Sequence, residues 1–331
     1  MGVCSIAAGR TEQLLRVIPQ GRRENAPTIE AFAAANGRNS VAGRRLIIRI
    51  AELNLDARPV VKHGRQHSAA TWSYPCPNRF RLGNEVSGDR GLVYESAVAV
   101  AGKRVKKVAA AVTTWFGWHA VARWFERTGS TSQPAALAAM SEAVLSVNFI
   151  RAIAITPLVR DALLECSGHL PIVVPTARGA FLGFLRLIHI VDRFHLAADL
   201  STFLPDNRLS VGELSAAQDI RDLASARDVP ADLLARRFML AMEAANYDSV
   251  ADRRLRRAGV ATFKADAPIG SVLDQVLSSF STTVALCVAG HLGPDEAAKL
   301  IEHEGAVYGA TIDQRDRGLP PAPGSGTWAN R

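Results

Sequence analysis

Two groups of short extended segments, separated by a long helical pattern, place the strongest constraint on the fold of this chain. Leu92–Val100 and Arg104–Thr113 are rich in small and β-branched apolar residues, and the turn residues between them predict a β-hairpin. Between residues 170 and 205, short apolar runs alternate with turn residues, which predicts a small antiparallel meander. The sequence therefore predicts short antiparallel strands within the N-terminal 200 residues.

Helical patterns fill much of the remaining chain. Trp115–Thr128 has the spacing of an amphipathic helix, and Gln133–Ile155 carries the longest helical pattern. Proline and glycine punctuate residues 59–91 as they do in loops, whereas the apolar spacing after Ser210 is helical. These patterns predict the α+β class, with a mostly helical C-terminal part.

The length of 331 residues allows one large domain or two ordinary ones. In the first segment, Thr11–Ile18 has the spacing of two helical turns, and further on Arg44–Leu53 has the composition of a strand. We infer four segments: a loosely structured basic N-terminal segment (1–42), an α+β region (43–205), a helical region (206–317) and a flexible Pro/Gly tail (318–331).

Several classes of protein are disfavoured by what the sequence lacks. Four widely separated cysteines do not form the disulfide framework of a small secreted protein. The chain shows neither a secretory leader pattern nor 18 uninterrupted apolar residues, so we expect a cytoplasmic protein of bacterial type without membrane association. P-loop, Rossmann and hydrolase motifs are absent. Two imperfect ligand pairs, His63 with His67 and Cys166 with His169, do not complete a zinc site, and we predict no cofactor and no metal.

The basic charge of the chain is concentrated near its N-terminus. Residues 1–130 carry 20 Lys and Arg against 9 Asp and Glu, whereas residues 131–331 carry 19 against 22. A coding bias can explain an excess of arginine over the whole chain but not this asymmetry. A basic, loop-rich region is suited to contacts with the phosphate groups of a nucleic acid. The candidate nucleic-acid-binding residues are Arg44, Arg45, Arg49, Lys62, Arg65, Lys103, Arg104, Lys106 and Lys107.

Aromatic residues lie between these cations in the sequence. Trp72, Tyr74 and Phe80 are spaced as stacking platforms for unpaired bases are in proteins that bind single strands. The leading hypothesis is therefore a cytoplasmic protein that associates with nucleic acid through its basic N-terminal region. An acidic protein partner would use the same basic surface, and the sequence leaves the oligomeric state open.

The predicted helix at Trp115–Thr128 carries the strongest alternative. His119, Arg123 and Arg127 follow one another at intervals of four residues and share one face of that helix. Histidine transfers protons near neutral pH and arginine stabilises negative charge, so these residues suit an RNase-like phosphodiester hydrolase centred on His119. His189 and His195 would supply further imidazoles if the meander packed beside this helix. A third hypothesis is an interaction or assembly protein that uses its helical C-terminal part.

Overall fold

A seven-stranded mixed sheet forms the centre of the molecule, in the strand order β1-β2-β3-β4-β7-β6-β5. The structure is a computed structural model, and it describes residues 4–18, 60–77, 91–102, 106–166, 168–190, 193–226, 229–248 and 269–301. The strands are β1 (Val60–His63), β2 (His67–Pro77), β3 (Gly91–Gly102), β4 (Lys106–Gly117), β5 (His169–Thr176), β6 (Gly179–Ile190) and β7 (Arg193–Leu204).

Two antiparallel meanders make up this sheet. Strands β1 to β4 form the first meander and β5 to β7 the second, so the predicted hairpin and the predicted meander are both confirmed. The meanders join through β4 and β7, which pair in parallel, with Thr114 opposite Ala198. A parallel pair needs a long connection between its strands, and the helices between β4 and β5 supply part of it.

The described helices are α1 (5–18), α2 (Trp118–Thr128), α3 (Gln133–Ile153), α4 (Pro157–Glu165), α5 (Val211–Ser225), α6 (Ala231–Asp248), α7 (Ile269–Leu277), α8 (Phe280–Ala289) and α9 (294–301). The α+β class is therefore confirmed. After residue 205, the described elements are helices, including one short 3₁₀ turn at Asp206–Arg208. Residues 19–42 and the tail at 318–331 lie outside the described ranges.

Helix α1 is longer than the two turns that the sequence indicates, and it docks onto α2. Ala7 and Leu14 are buried in the main apolar core. The indole of Trp118 donates a hydrogen bond to Glu12 over 3.0 Å, and Arg10 donates to the carbonyl of Ser130 over 2.7 Å. These contacts attach the described part of the N-terminal segment to the rest of the fold.

Helix α3 crosses the sheet and carries a buried cation. The Arg151 guanidinium, 2% exposed, donates to the carbonyl of Leu196 on β7, to the amide oxygen of Asn148, and to the hydroxyl and carbonyl of Ser281 on α8. Asn148 in turn donates to Ser96 on β3. Burial lowers the pKa of Arg151 to about 9. One side chain therefore links α3, β7 and α8 through neutral acceptors alone.

The C-terminal helices share an apolar cluster with the N-terminal strands. Val284 and Cys287 of α8 pack against Val98 and Val100 of β3, together with Ala297 of α9. Burial raises the pKa of the Cys287 thiol to about 12, so this thiol stays protonated at neutral pH. Helices α8 and α9 thus lie over the same end of the sheet as the β1–β2 hairpin.

By length and composition, α3 could cross a membrane, and the bent pair formed by α7 and α8 meets the same criterion. Two thirds of the apolar window of α3 is buried inside the molecule. A buried core helix has the same composition as a spanning helix, and the packing of α3 on the sheet accounts for its apolar character.

Candidate nucleic-acid interface

A carboxylate from the C-terminal part of the chain holds the turn of the β1–β2 hairpin. Asp295, at the start of α9, accepts hydrogen bonds from the backbone amides of Arg65, Gln66 and His67 over 2.8, 3.1 and 2.8 Å. The imidazole Nδ1 of His67 lies 2.8 Å from the same carboxylate. These donors, the His67 side chain foremost, lower the pKa of Asp295 to about 2, so the carboxylate is charged at neutral pH.

The close approach of this carboxylate also explains a glycine in the turn. A Cβ atom at Gly64 would lie 2.6 Å from Oδ2 of Asp295, well inside van der Waals contact. The contact joins residues that are about 230 positions apart in the sequence. It gives the exposed Arg65 a fixed backbone at the tip of the hairpin.

Lys62 lies beside this turn and contacts the end of α8. Its Nζ donates to the carbonyl of Gly290 over 3.4 Å, where the helix leaves carbonyl groups without intrahelical partners. A cation is favourable at this negative end of the helix dipole. Lys62 therefore adds positive charge at a fixed place and also stabilises α8.

The ends of two further strands lie next to this turn. In the sheet register His67 pairs with Gly102, Ser68 pairs with Ala101, and Ala101 pairs in turn with Lys106. The turn after β1 and the connection after β3 therefore end two neighbouring hairpins at the same end of the sheet. We call this region the basic end, and it comprises Lys62, Arg65, Lys106 and Lys107.

The predicted nucleic-acid-binding residues divide into three groups by position. Lys62, Arg65, Lys106 and Lys107 belong to described strands and turns at the basic end. Lys103 and Arg104 belong to the connection between β3 and β4, which lies outside the described residues. Arg44, Arg45 and Arg49, with the strand predicted around them, also lie outside the described residues.

Two acidic residues of α9 lie near the basic end, and both are hydrogen-bonded. Asp295 binds the β1–β2 turn, and Glu296 accepts a hydrogen bond from the amide of Gly293 over 3.1 Å. Asp295 therefore organises the turn that carries Arg65. Both of these carboxylates therefore have structural roles that are compatible with an anionic ligand nearby.

The aromatic residues of β2 do not form stacking platforms. Trp72 is 2% exposed, and the hydroxyl of Tyr74 donates to Glu95 on β3 over 2.5 Å. Phe80 lies outside the described residues.

Helix α2 places His119, Arg123 and Arg127 on one face, as the spacing predicts. Nε of Arg123 donates to the imidazole of His119 over 3.1 Å, and the same guanidinium pairs with Glu126 over 2.5 Å. Arg127 donates to the carbonyl of Phe203 on β7. These contacts give both guanidiniums structural partners, which explains the spacing without a substrate.

Of the histidines proposed for a composite site, His119 and His195 lie on different sides of the sheet, and the side chain of His189 lies outside the described residues. His195 of β7 pairs with Ile188, which packs with Ala197 in an apolar cluster separate from the main core. Helix α2 packs on the main core through Ala120 and neighbouring residues, and His119 is exposed on that helix. Residues two positions apart on a strand face the same side of the sheet, so His195 lies on the side of Ala197. Helix α2 packs on the other side, and His195 therefore does not approach His119.

One ion pair within the sheet had no signal in the sequence. Arg186 of β6 contacts Asp199 of β7 over 2.5 Å. Desolvation raises the pKa of the Asp199 carboxyl, and the positive charges of Arg186 and His169 partly offset this effect. The two partners are 13 residues apart on neighbouring strands, and the strand register is what brings them together.

Within the described ranges, no group of three or more His, Cys, Asp or Glu side chains is placed to hold a metal ion. Sequence reasoning missed Asp295, as it missed the Arg186–Asp199 pair, since the only local feature of Asp295 is its place beside Pro294 at the start of a helix.

No protein-family model matches the chain, and comparison with curated proteins and with solved structures gave no match.

Proposed function

We propose that the protein binds nucleic acid through phosphate contacts made at the basic end of the sheet. The observation that supports this proposal is the register of β1 to β4, which brings Lys62, Arg65, Lys106 and Lys107 to the same end of the sheet. Several Lys and Arg residues at one end of a sheet are suited to contacts with a phosphate backbone. The buried position of Trp72 favours backbone contacts over base stacking.

The proposal predicts a measurable dependence on salt. Each phosphate contact releases about 0.7 to 0.9 counterions, so roughly four contacts give a log–log slope of about −3. The measurement is fluorescence anisotropy of the full chain with a labelled single-stranded oligonucleotide at increasing salt. Binding that is undetectable at low salt, or that does not depend on salt, would contradict the proposal.

Paired charge reversals locate the site. We expect Arg65→Glu to weaken binding about tenfold or more and to make the salt slope shallower. The matched control is Arg178→Glu, an exposed arginine in the β5–β6 turn, which lies at the opposite end of the sheet. Equal losses for the two variants would show that binding follows overall charge rather than the basic end.

An acidic protein partner is the competing use of the same surface. Polyglutamate carries carboxylates in place of phosphates, and it serves as a competitor in the same assay. We expect single-stranded nucleic acid to be displaced poorly by polyglutamate at equal charge concentration. Efficient displacement would favour the acidic-protein alternative.

The hydrolase alternative has less support from geometry. Arg123 and Arg127 are engaged by Glu126 and by the carbonyl of Phe203, and His119 stands apart from His195. Loss of an otherwise detectable nuclease activity in His119→Ala, with binding retained, would restore this alternative.

A further inference from the structure

We infer that the outer face of the α5–α6 hairpin is a self-association surface that binds a second copy of this chain. Helix α5 and helix α6 pack on each other through Ile220, Leu223, Leu234 and Phe238, all buried in the main core. Exposed large apolar side chains nevertheless remain on their outer faces, which is uncommon for a helix pair whose apolar stripe is already used.

These exposed apolar residues are concentrated on this hairpin. Val211 and Leu214 of α5 are 84% and 43% exposed, and Leu233 and Leu240 of α6 are 49% and 65% exposed. They account for four of the eleven exposed large apolar residues in the part of the chain that the structure describes. A three- and seven-residue spacing places the members of each pair on one side of their helix. Such a stripe is the pattern by which a helix presents an apolar seam to another helix.

This face carries charged residues of opposite sign on its two helices. Asp222 is exposed on α5, and Arg236 and Arg237 are exposed on α6. Neither arginine has an ion-pair partner among the described residues, and the Asp222 carboxylate accepts a hydrogen bond from Gln218 over 3.0 Å. The outer face thus carries a carboxylate at Asp222 of α5 and guanidiniums at Arg236 and Arg237 of α6, which can pair between two copies, and α6 also carries the exposed Asp232 and Glu243.

The geometry of the two helices allows these apolar and charged residues to meet across a two-fold axis. Only five residues separate α5 from α6, and such short connections join antiparallel neighbours. Counting back from the connection on both helices, Asp222 lies within two residues, about 3 Å, of the level of Arg236, and Leu214 lies within two residues of the level of Leu240. A two-fold axis parallel to the helices places α5 of one copy over α6 of the other at the same level. Asp222 then faces Arg236 of the second copy, and Leu214 faces Leu240, as an isologous interface requires.

The size of the face fits a weak, reversible dimer. Helices of 15 and 18 residues are about 22 and 27 Å long at 1.5 Å per residue. Two helices side by side are about 20 Å wide, so each copy would bury about 500 Å². A total of about 1,000 Å² lies at the lower end of specific protein–protein interfaces, and we expect a micromolar dissociation constant.

Sedimentation velocity of the full chain over a range of concentrations, without nucleic acid, tests this inference. We expect a monomer–dimer equilibrium, with Leu240→Glu shifting it to monomer. The matched control is Leu145→Glu, a change at a 55% exposed leucine of α3, which should leave the equilibrium unchanged. A wild-type chain that stays monomeric to about 100 μM, or a dimer equally sensitive to both variants, would overturn the inference.

Charge swaps test the pairing that the two-fold axis implies. Asp222→Arg and Arg236→Glu should each weaken the dimer about tenfold, since each places like charges opposite each other. The double variant should restore most of the loss, which a merely structural effect of either change would not do. Because these residues are exposed, folding is checked by the unchanged melting temperature of each variant. A double variant weaker than both singles would contradict the proposed pairing.

Discussion

Arg151 carries a buried positive charge that is satisfied by neutral acceptors alone. Burying a charge is costly, and a guanidinium is tolerated only where hydrogen bonds replace its water. Its partners are Asn148 on the same helix, Leu196 on β7 and Ser281 on α8, and the last two are distant from Arg151 in the sequence. Arg151 therefore fixes the positions of α3 and α8 on the sheet. Without this contact, the mostly apolar surface of α3 would define its position less well.

We expect Arg151→Leu to destabilise the protein by about 3 kcal/mol. Leucine fills part of the space but leaves the Asn148 oxygen and two carbonyls buried without a donor, at about 1–3 kcal/mol for each unsatisfied group. Urea denaturation of both chains measures the difference in the free energy of unfolding. The exposed Arg178→Leu serves as control and should stay within about 0.5 kcal/mol. An unchanged midpoint for Arg151→Leu would refute the structural role.

Asp295 gives the hairpin turn a defined dependence on pH. Its folded pKa of about 2 lies below the ordinary value of 3.8, so its stabilising effect is complete above about pH 4. As the pH falls towards 2, the carboxyl becomes protonated and can no longer accept all four hydrogen bonds. We expect the amides of Arg65, Gln66 and His67 to lose protection from hydrogen exchange in that window. In Asp295→Asn the same amides should be less protected than in wild type above about pH 4, and equal protection of both chains there would contradict the role of Asp295.

At the scale of elements, β5 shows how the sheet limits unwanted pairing at one edge. Pro171 and Pro175 occupy alternate outward positions of this edge strand, because a proline in the ladder to β6 would leave a hydrogen bond unmade. Arg221 of α5 also donates to the carbonyl of Thr176 at the end of the strand. Fewer outward N–H groups then remain as a template for another strand.

We therefore expect the double change Pro171→Val and Pro175→Val to increase aggregation. Valine favours strands and restores two outward N–H donors, so the edge can pair with another chain. Light scattering and thioflavin fluorescence during heating, compared with wild type, measure the effect. A single Val173→Ile change in the same strand controls for added β-propensity. Aggregation equal to that of the control would show that the prolines do not protect the edge.

The elements differ in how far the sequence alone determines them. The β3–β4 hairpin and the β5–β7 meander were predictable because short apolar runs and turn residues are local signals. Strands β1 and β2 were missed, since glycine and proline in residues 59–91 indicate loops when the stabilising partners are unknown. Strand β4 also extends to Gly117, three residues into the predicted helix, because Trp115 and Phe116 are buried in the sheet on opposite faces.

The parallel pairing of β4 with β7 had no sequence signal, because it depends on how two meanders meet rather than on either one. The candidate site has the same limitation. The sequence identified Lys62, Arg65, Lys106 and Lys107 as cations, but only the register shows that they share one end of the sheet. Asp295, which orders the turn, could not be predicted because its partners lie about 230 residues away.

At the scale of the whole molecule, the two proposals concern separate surfaces. The basic end lies at the β1–β2 and β3–β4 turns, whereas the α5–α6 hairpin packs beside β5, at the other edge of the sheet. A two-fold dimer formed through α5 and α6 would therefore carry two basic ends without covering either. Two linked sites on one polymer raise the apparent affinity through effective concentration, without any new contact.

A dimer with two basic ends predicts that the affinity for nucleic acid depends on the length of the oligonucleotide. Neither proposal predicts this dependence alone. For an oligonucleotide long enough to reach both basic ends, we expect wild type to bind at least about tenfold more tightly than Leu240→Glu. For a short oligonucleotide that fills one site, the two proteins should bind equally, because Leu240 is remote from the basic end. Anisotropy titrations with both lengths, above the dissociation constant of the dimer, measure the two ratios. Equal affinity of both proteins for the long strand would show that the two basic ends of a dimer do not act together, and a loss at both lengths would show that Leu240→Glu acts on the site itself.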